Sequence, residues 1–241
     1  MAKNYKSRGV VLTRVKYGDS SIIVQLFGEE CGRQSYMVQG VKSRRSQGSK
    51  MALFQPLHPL EFVASWGSGR LHRFSEVQSG MILRSTPFDV RRMTISLFIA
   101  EVIYRLVRED ESNKPLFDFI WSSIETLDLI DEGVANFHLY FLVNLSRFLG
   151  FFPGNSHSDG DWFDPSEGLF TAQEPSCLSK FTPPLAERLR DFIECDVRHL
   201  GEIPLSRRER VEFLESLLDY YSYHLDIRHS VESLDILREV F

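Results

Sequence analysis

Cysteine is scarce in this chain of 241 residues. Only Cys31, Cys177 and Cys195 occur, and no two of them form a C-x-x-C pair. So few cysteines, odd in number, argue against a disulfide framework and against a cysteine-rich zinc site. We therefore expect neither a bound metal nor any other cofactor.

Long apolar runs are also lacking. The strongest ones, Ile22 to Leu26 and Leu139 to Val143, are far shorter than the roughly 20 residues of a membrane-spanning helix. The first residues, MAKNYKSRG, include basic side chains but not the apolar stretch of a signal peptide. We expect a cytoplasmic protein without a membrane partner.

Signatures of catalysis are missing as well. The basic stretch between Gly40 and Gly48 lacks the Gly-Lys-Ser/Thr of a phosphate-binding loop, and no G-x-G-x-x-G, G-x-S-x-G or H-E-x-x-H occurs. The acidic loop at residues 157–164 departs from a calcium loop, because Phe163 stands where an oxygen ligand is needed. We therefore expect the protein to have no enzymatic activity. A metal-dependent activity that requires Asp161 is the enzymatic alternative.

Charge is distributed unevenly along the chain. Residues 1–80 contain 12 Lys and Arg against 5 Asp and Glu, whereas residues 81–241 contain 16 against 28. A basic first third favours a polyanionic partner. The acidic remainder would be repelled by a polyanion, so we expect it to meet proteins.

The basic third has the residue pattern of β-strands. Five short strands are predicted at residues 8–16, 21–27, 33–41, 57–64 and 71–77, separated by turn signals such as Tyr17-Gly18-Asp19-Ser20. Five strands with one long basic loop suit a small antiparallel barrel of the OB type. An SH3-like barrel fits the pattern nearly as well.

From about residue 86 the apolar residues recur at the spacing of an α-helix. Helices are predicted at residues 89–110, 116–130, 134–149 and 185–195, then from Ser206, with a capping box to Glu209, and from Ser230. The fold class is thus α+β. An OB-type barrel at residues 1–80 precedes an all-α domain at 81–241, which contains an irregular insert at about 150–184.

The candidate site for a polyanion is the basic segment KSRRSQGSK, residues 42–50. Each of its cations can neutralise a phosphate and release condensed counterions, which drives sequence-independent binding. Aromatic residues on an open face could stack bases, although any single one is more readily explained as barrel core. The predicted DNA-binding residues are Arg14, Lys16, Arg33, Lys42, Arg44, Arg45, Lys50, Arg70 and Arg73. The interleaved aromatic residues are Tyr17, Phe27, Tyr36, Phe54 and Trp66.

The order of these features resembles that of RecO recombination mediators. The stretch RGVVLTRVKYGDSSIIVQLFGEECGRQSYMVQGVKSRRS, followed by LFQPLHPLEF and LHRFSEVQ, is similar to the N-terminal domain of that family. In the second half, SLFIAEVIYRLVREDESNKPLFDFI, LVNLSRFLGFFP, YYSYHLD and SLDILREVF resemble the family's helices. The resemblance covers nearly the whole chain.

The resemblance implies a non-enzymatic, nucleoid-associated protein that binds single- and double-stranded DNA and anneals complementary strands. It also implies RecR and the single-stranded DNA-binding protein as partners, and RecA recombinase as an indirect one. Many relatives have a four-cysteine zinc module after Leu-Gly-x-x-Pro, where this chain retains only Cys177, so we predict no zinc. The alternative is an adaptor whose barrel binds a protein rather than DNA.

One partner site can be predicted more closely. The tail of bacterial single-stranded DNA-binding proteins is acidic and ends in an apolar residue, so it needs a hydrophobic slot with a cation at one end. We predict that Arg147 supplies the cation and that Phe141, Leu145 and Phe148 line the slot. The alternative is that the apolar residues are core and that Arg147 is an ordinary surface charge.

Overall fold

The computed structural model describes residues 4–40, 51–65, 71–107, 112–154, 156–177, 181–225 and 233–241. The chain divides into two compact units, Met1–Asp128 and Leu129–Phe241. The change from strands to helices near residue 80 lies within the first unit. As a domain boundary, residue 80 stays a prediction.

The first unit contains a closed barrel of five strands. They are β1 (Asn4–Tyr17), β2 (Ser21–Gly28), β3 (Gly32–Val38), β4 (Pro59–Ser65) and β5 (Leu71–Ser79). Their order around the barrel is β1-β2-β3-β5-β4, with β3 and β5 parallel and the other pairs antiparallel. This order confirms the OB-type barrel over the SH3-like alternative. The first strand begins four residues before its predicted start.

Alternating side chains fill the barrel. Val24, Leu26 and Tyr36 are buried on the inner face, and Phe62 lies 5.3 Å from the Tyr36 ring, centre to centre. A helical turn at residues 51–53 leads to Phe54, which is 1% exposed and packs against the same core. Because successive residues of a strand point to opposite faces, the neighbours of these core residues face outward.

Two long α-helices follow the barrel, α1 (Val90–Leu106) and α2 (Lys114–Leu129), and a 3-10 helix at Thr86–Phe88 precedes α1. The Phe117 ring of α2 lies 6.1 Å from the ring of Phe27 on β2. The Arg8 guanidinium lies 4.9 Å from the Trp121 ring centre and donates two hydrogen bonds of 2.8 Å to Glu29. These hydrogen bonds lower the pKa of Glu29 to about 2. The helices therefore cover one part of the outer face of the barrel.

The chain between β5 and α1 is fixed by one buried carboxylate. Asp128 accepts hydrogen bonds from the backbone N–H groups of Arg84 at 2.7 Å, Ser85 at 3.0 Å and Thr86 at 2.7 Å. Burial alone would raise the pKa of Asp128, but these N–H donors favour the ionised form, and the pKa is lowered overall. Asp128 thus ties the end of α2 to the segment that follows the barrel.

The second unit has four α-helices in its described part: α3 (Phe137–Leu149), α4 (Pro183–Glu194), α5 (Arg207–His224) and α6 (Ser233–Val240). Short 3-10 helices at Val134–Asn136 and Val197–Glu202 precede α3 and α5. The predicted capping box of Ser206 and Glu209 is present at the start of α5. A hairpin, β6 (Trp162–Asp164) and β7 (Leu169–Thr171), lies in the insert that was predicted to be irregular. The predicted cap Ser230 lies outside the described residues. None of the described helices is long and apolar enough to cross a membrane.

Candidate nucleic-acid interface

The basic segment, residues 42–50, follows β3 in the sequence, and β3 finishes at one end of the barrel. Five predicted DNA-binding residues lie outside the described part: Lys42, Arg44, Arg45, Lys50 and Arg70. Val38, the last residue of β3, pairs with Ile22 beside the turn between β1 and β2. Gln39 and Gly40, which follow, are exposed. In the sequence, the basic segment therefore begins two residues after Gly40, which follows β3 at the end of the barrel that contains the β1–β2 turn.

Two of the described candidates are engaged within the first unit. Arg14, on β1, donates hydrogen bonds to the carbonyl oxygens of Met51 and Phe54 at 3.2 and 3.3 Å. Arg33, on β3, donates to the carbonyl oxygen of Tyr104 at 2.8 Å, and its guanidinium lies 5.3 Å from the Tyr104 ring centre. Both arginines thus stabilise the fold, and their contact with DNA stays a prediction.

The other two described candidates are available to a ligand. Lys16, near the end of β1, and Arg73, near the start of β5, are both exposed. Within the described ranges neither side chain forms an ion pair or a hydrogen bond. A cation without an intramolecular partner can bind a phosphate without first breaking a bond. Lys16 and Arg73 are therefore the strongest described candidates for phosphate contacts.

The aromatic candidates separate by burial. Phe27 and Tyr36 are 0% exposed and Phe54 is 1% exposed, so these three belong to the packed interior, as the simpler interpretation has it. Tyr17, at the end of β1, is 52% exposed. Trp66 lies outside the described residues. Of the described four, Tyr17 alone presents its ring to solvent.

Apolar residues of the outer barrel face were missed by the sequence analysis. Val15 is 58% exposed. It pairs with Ile23 on β2, which in turn pairs with Met37 on β3, and both of these are half-buried. The alternation in β2 separates Ile22, Val24 and Leu26 from Ile23, Gln25 and Phe27. A two-residue period shows that two faces exist, but the sequence alone does not say which part of the outer face the helices leave open.

Comparisons with known proteins agree with this architecture. The family model "Recombination protein O N terminal" matches residues 1–89, and the model "Recombination protein O C terminal" matches residues 87–232. The DNA repair protein RecO of Bacteroides fragilis is 37% identical to this chain over 239 residues, which cover 98% of each protein.

The chain belongs to the RecO family. The proteins named DNA repair protein RecO from Porphyromonas gingivalis and Flavobacterium psychrophilum are 35% and 34% identical to it, each over 98% of both chains. The resemblance stated from the sequence is confirmed. The remaining candidate residues of this RecO-family chain lie in the second unit.

The acidic loop of this RecO-family chain uses its carboxylates to shape its own turns. Asp161 accepts a hydrogen bond from the backbone N–H of Ser158 at 2.7 Å, and Asp164 accepts from both the N–H and the hydroxyl of Ser166. The thiol of Cys177 lies 3.6 Å from a carboxylate oxygen of Asp164. Among the described residues no group of three or more His, Cys, Asp or Glu could hold a metal ion.

We expect the purified RecO-family protein to contain no stoichiometric zinc. A structural zinc site normally needs four ligands, mostly cysteine and histidine, and residues 150–177 contain only His157 and Cys177 of these types. Phe163 and Phe170, with ring centres 5.0 Å apart, supply packing there instead. Elemental analysis after dialysis against a chelator tests this. About one zinc retained per chain would show the expectation to be wrong.

The residues predicted to bind the acidic tail lie on α3. Phe141 is 1% and Leu145 0% exposed, so both are core residues of the second unit. Arg147 is exposed, and its guanidinium lies 3.8 Å from the ring centre of Phe152. Phe148 is half-buried. Of the four predicted residues, Arg147 and Phe148 therefore reach the surface, and the ring of Phe152 lies beside Arg147.

Proposed function

We propose that this RecO-family protein binds single- and double-stranded DNA and acts, without catalysis, as a mediator of recombinational repair. The single observation that supports this most is the basic barrel end, where exposed Lys16 precedes the turn and the sequence Lys42–Lys50 follows β3. Cations of this kind attract the phosphate backbone regardless of sequence. The repair role rests on the names of the relatives.

The proposed mechanism makes and breaks no covalent bond. Two DNA strands repel each other because both are polyanions, and cations that neutralise both at once lower this repulsion. Complementary bases can then meet while both strands are held. The protein would accelerate annealing by bringing strands together, and it would need neither a nucleotide nor a metal for this step.

The second unit is proposed to dock protein partners. Residues 129–241 contain 10 Lys and Arg against 20 Asp and Glu, so DNA is a poor ligand for this part of the chain. We propose RecR and the tail of the single-stranded DNA-binding protein as its partners. Through them the protein would help to load RecA recombinase on protected single strands.

A strand-annealing assay with bare and protein-coated single strands tests this function. We expect annealing of bare strands without any nucleotide cofactor, and of strands coated by the cognate single-stranded DNA-binding protein. If the protein anneals neither bare nor coated strands, and if its binding to DNA does not depend on salt, the alternative of an adaptor whose barrel binds a protein is favoured.

We expect Arg147→Ala to weaken binding of the tail peptide by roughly tenfold, because a hydrogen bond to a charged group contributes about 1.5–3 kcal/mol. Fluorescence anisotropy with a labelled tail peptide measures the affinity. Arg198→Ala is the matched control, since Arg198 is an exposed arginine of the same unit, paired with Asp196 at 2.6 Å. Equal affinity of the Arg147→Ala variant and wild type would remove Arg147 from the site.

A further inference from the structure

The start of α1 leaves large apolar side chains in solvent. Phe88, which directly precedes the helix cap Asp89, is 84% exposed. Val90 and Met93, in the first turns of the helix, are 62% and 43% exposed. Leu97, one turn farther along, is half-buried. Because residues three or four apart share one face of a helix, Val90, Met93 and Leu97 form a single row.

Phe88 belongs to the same row. With Asp89 as the N-cap of α1, Phe88 and Met93 occupy the N′ and N4 positions, whose apolar side chains often pack against each other. The chain before them is held in place, because Asp128 accepts hydrogen bonds from the backbone N–H groups of residues 84–86. The row is therefore a fixed surface. We call Phe88, Val90, Met93 and Leu97 the α1 ridge.

The opposite side of α1 is apolar as well, and it is covered. Ile95 and Phe98 are 0% exposed, and they belong to the interior of the first unit. A helix that is apolar all round is normally buried all round. Farther along the ridge side, Glu101 pairs with Arg105 at 2.6 Å, so the surface there is polar. The open apolar surface of α1 is thus confined to its first two turns.

The charges of the ridge favour a partner without excess charge. Asp89 and Arg91 form an ion pair of 3.2 Å, and Arg92 is buried. A polyanion or an acidic peptide would be attracted by unpaired cations, and the exposed charges beside the ridge are paired. A second copy of the same ridge can approach without like-charge repulsion, because each ion pair offers both signs.

The size of the ridge fits a contact between two copies of the chain. At these exposures its residues present roughly 350 Å² to solvent, within the range of the largest apolar patches on monomers, which are often functional. A two-fold contact buries the same surface on both copies. Because an average interface is about 57% apolar, the ridge corresponds to roughly 1,200 Å² of total buried surface. This is the lower end for stable complexes, so we expect the association to be reversible.

Strand annealing gives a second copy a function. The sequence contains one basic segment, residues 42–50, whereas annealing requires two strands to be held at once. We propose that the α1 ridge joins two copies of this chain about a two-fold axis, and that this pair is the form that anneals DNA. Two copies bring two barrels and two basic segments into one particle. This inference rests on the proposed DNA-binding function.

Sedimentation velocity over a wide range of protein concentration tests the contact. We expect the wild type to form dimers reversibly. Met93→Glu places a charge in the contact and should weaken dimerisation by roughly tenfold or more. Phe88→Glu should have the same effect, and it should leave the fold intact because Phe88 is so exposed. Ile236→Glu is the matched control, since Ile236 lies on α6 and is 46% exposed, and this variant should dimerise as wild type does.

DNA measurements on the same variants connect the contact to annealing. Binding of Met93→Glu to an oligonucleotide too short to reach two barrels should stay within about twofold of wild type, with the same salt slope, because the basic segment is unchanged. Its annealing rate should fall by roughly tenfold at concentrations at which the wild type is dimeric. Mixing Met93→Glu with Met93→Lys should restore both dimers and annealing, because opposite charges then meet across the two-fold axis.

The outcomes separate the ridge from the function on which it rests. A wild type that anneals DNA as a monomer, or dimers that persist in both Met93→Glu and Phe88→Glu, would overturn the ridge contact while leaving DNA binding in place. Monomeric variants that anneal as fast as wild type would overturn the role of the pair. Loss of a different protein partner in these variants, with the wild type monomeric, would assign the ridge to that partner and contradict the proposal. A wild type that binds no DNA would overturn the proposed function itself.

Discussion

Replacing Lys42, Arg44, Arg45 and Lys50 together with alanine is expected to weaken single-strand binding by roughly tenfold or more near physiological salt. Each lost phosphate contact should reduce the salt slope by roughly 0.7. The loss should be similar for all DNA sequences, because phosphates carry no base information. The double variant Arg44→Ala/Arg45→Ala should retain part of the affinity and of the annealing activity, since Lys42 and Lys50 would still contact phosphates.

This expectation can be checked without confusing binding with folding. The sequence Lys42–Lys50 contains no apolar residue to bury, so its truncation should cost the fold little, which thermal unfolding would verify. Removing two arginines from the acidic unit, Arg198→Ala/Arg207→Ala, is the matched control and should leave DNA binding unchanged. If the fourfold variant stays folded with the affinity and salt slope of wild type, other cations, such as Lys16 and Arg73, must bind the DNA.

The second large effect concerns stability. Asp128→Asn is expected to lower the free energy of unfolding by about 3 kcal/mol or more, because hydrogen bonds to charged groups contribute about 1.5–3 kcal/mol each and buried donors left unpaired are costly. Three backbone N–H groups lose their anionic acceptor in this variant. Urea unfolding of the full chain, followed by circular dichroism, measures the change.

Asp118→Asn is the matched control for this experiment. Asp118 lies on the same helix, its side chain is 50% exposed, and it pairs with Lys114 at 3.3 Å. Exposed ion pairs of this kind contribute about 0–1 kcal/mol, so the control should unfold close to wild type. Equal stability of Asp128→Asn and Asp118→Asn would show that the buried carboxylate does not hold the segment at residues 84–86.

The same carboxylate predicts how stability depends on pH. The pKa of Asp128 is lower in the folded state than its ordinary value. The unfolded chain therefore binds the proton more readily, so the contribution of Asp128 is present at neutral pH and is lost as the pH falls through its folded-state pKa. The stability of wild type should fall more steeply on acidification than that of Asp128→Asn.

The barrel could be predicted from the sequence because its signals are local. A period of two in residues 21–27, together with turn residues on both sides, specifies a strand without knowledge of the rest of the chain. The capping box at Ser206 is local in the same way, because its two partners are three residues apart. In the insert, β6 and β7 have three residues each, too few to show a period.

The roles of individual cations could not be predicted, because they depend on contacts distant in sequence. Arg33 and its acceptor Tyr104 are 71 residues apart, and Arg14 and Phe54 are 40 apart. All the basic residues of the first third look alike in sequence, yet these two serve the fold, whereas Lys16 and Arg73 remain available. The open position of Tyr17 likewise depends on where α1 and α2 pack.

Affinity of the wild-type protein for single-stranded DNA as a function of salt concentration tests the central claim most directly. The account predicts binding at neutral pH whose logarithm falls linearly with the logarithm of salt concentration, with a slope of roughly 0.7 for each phosphate contact. We therefore expect a slope that corresponds to several phosphate contacts, although the whole chain has a net charge of −5. Absence of binding at low salt, or binding that does not change with salt, would contradict it.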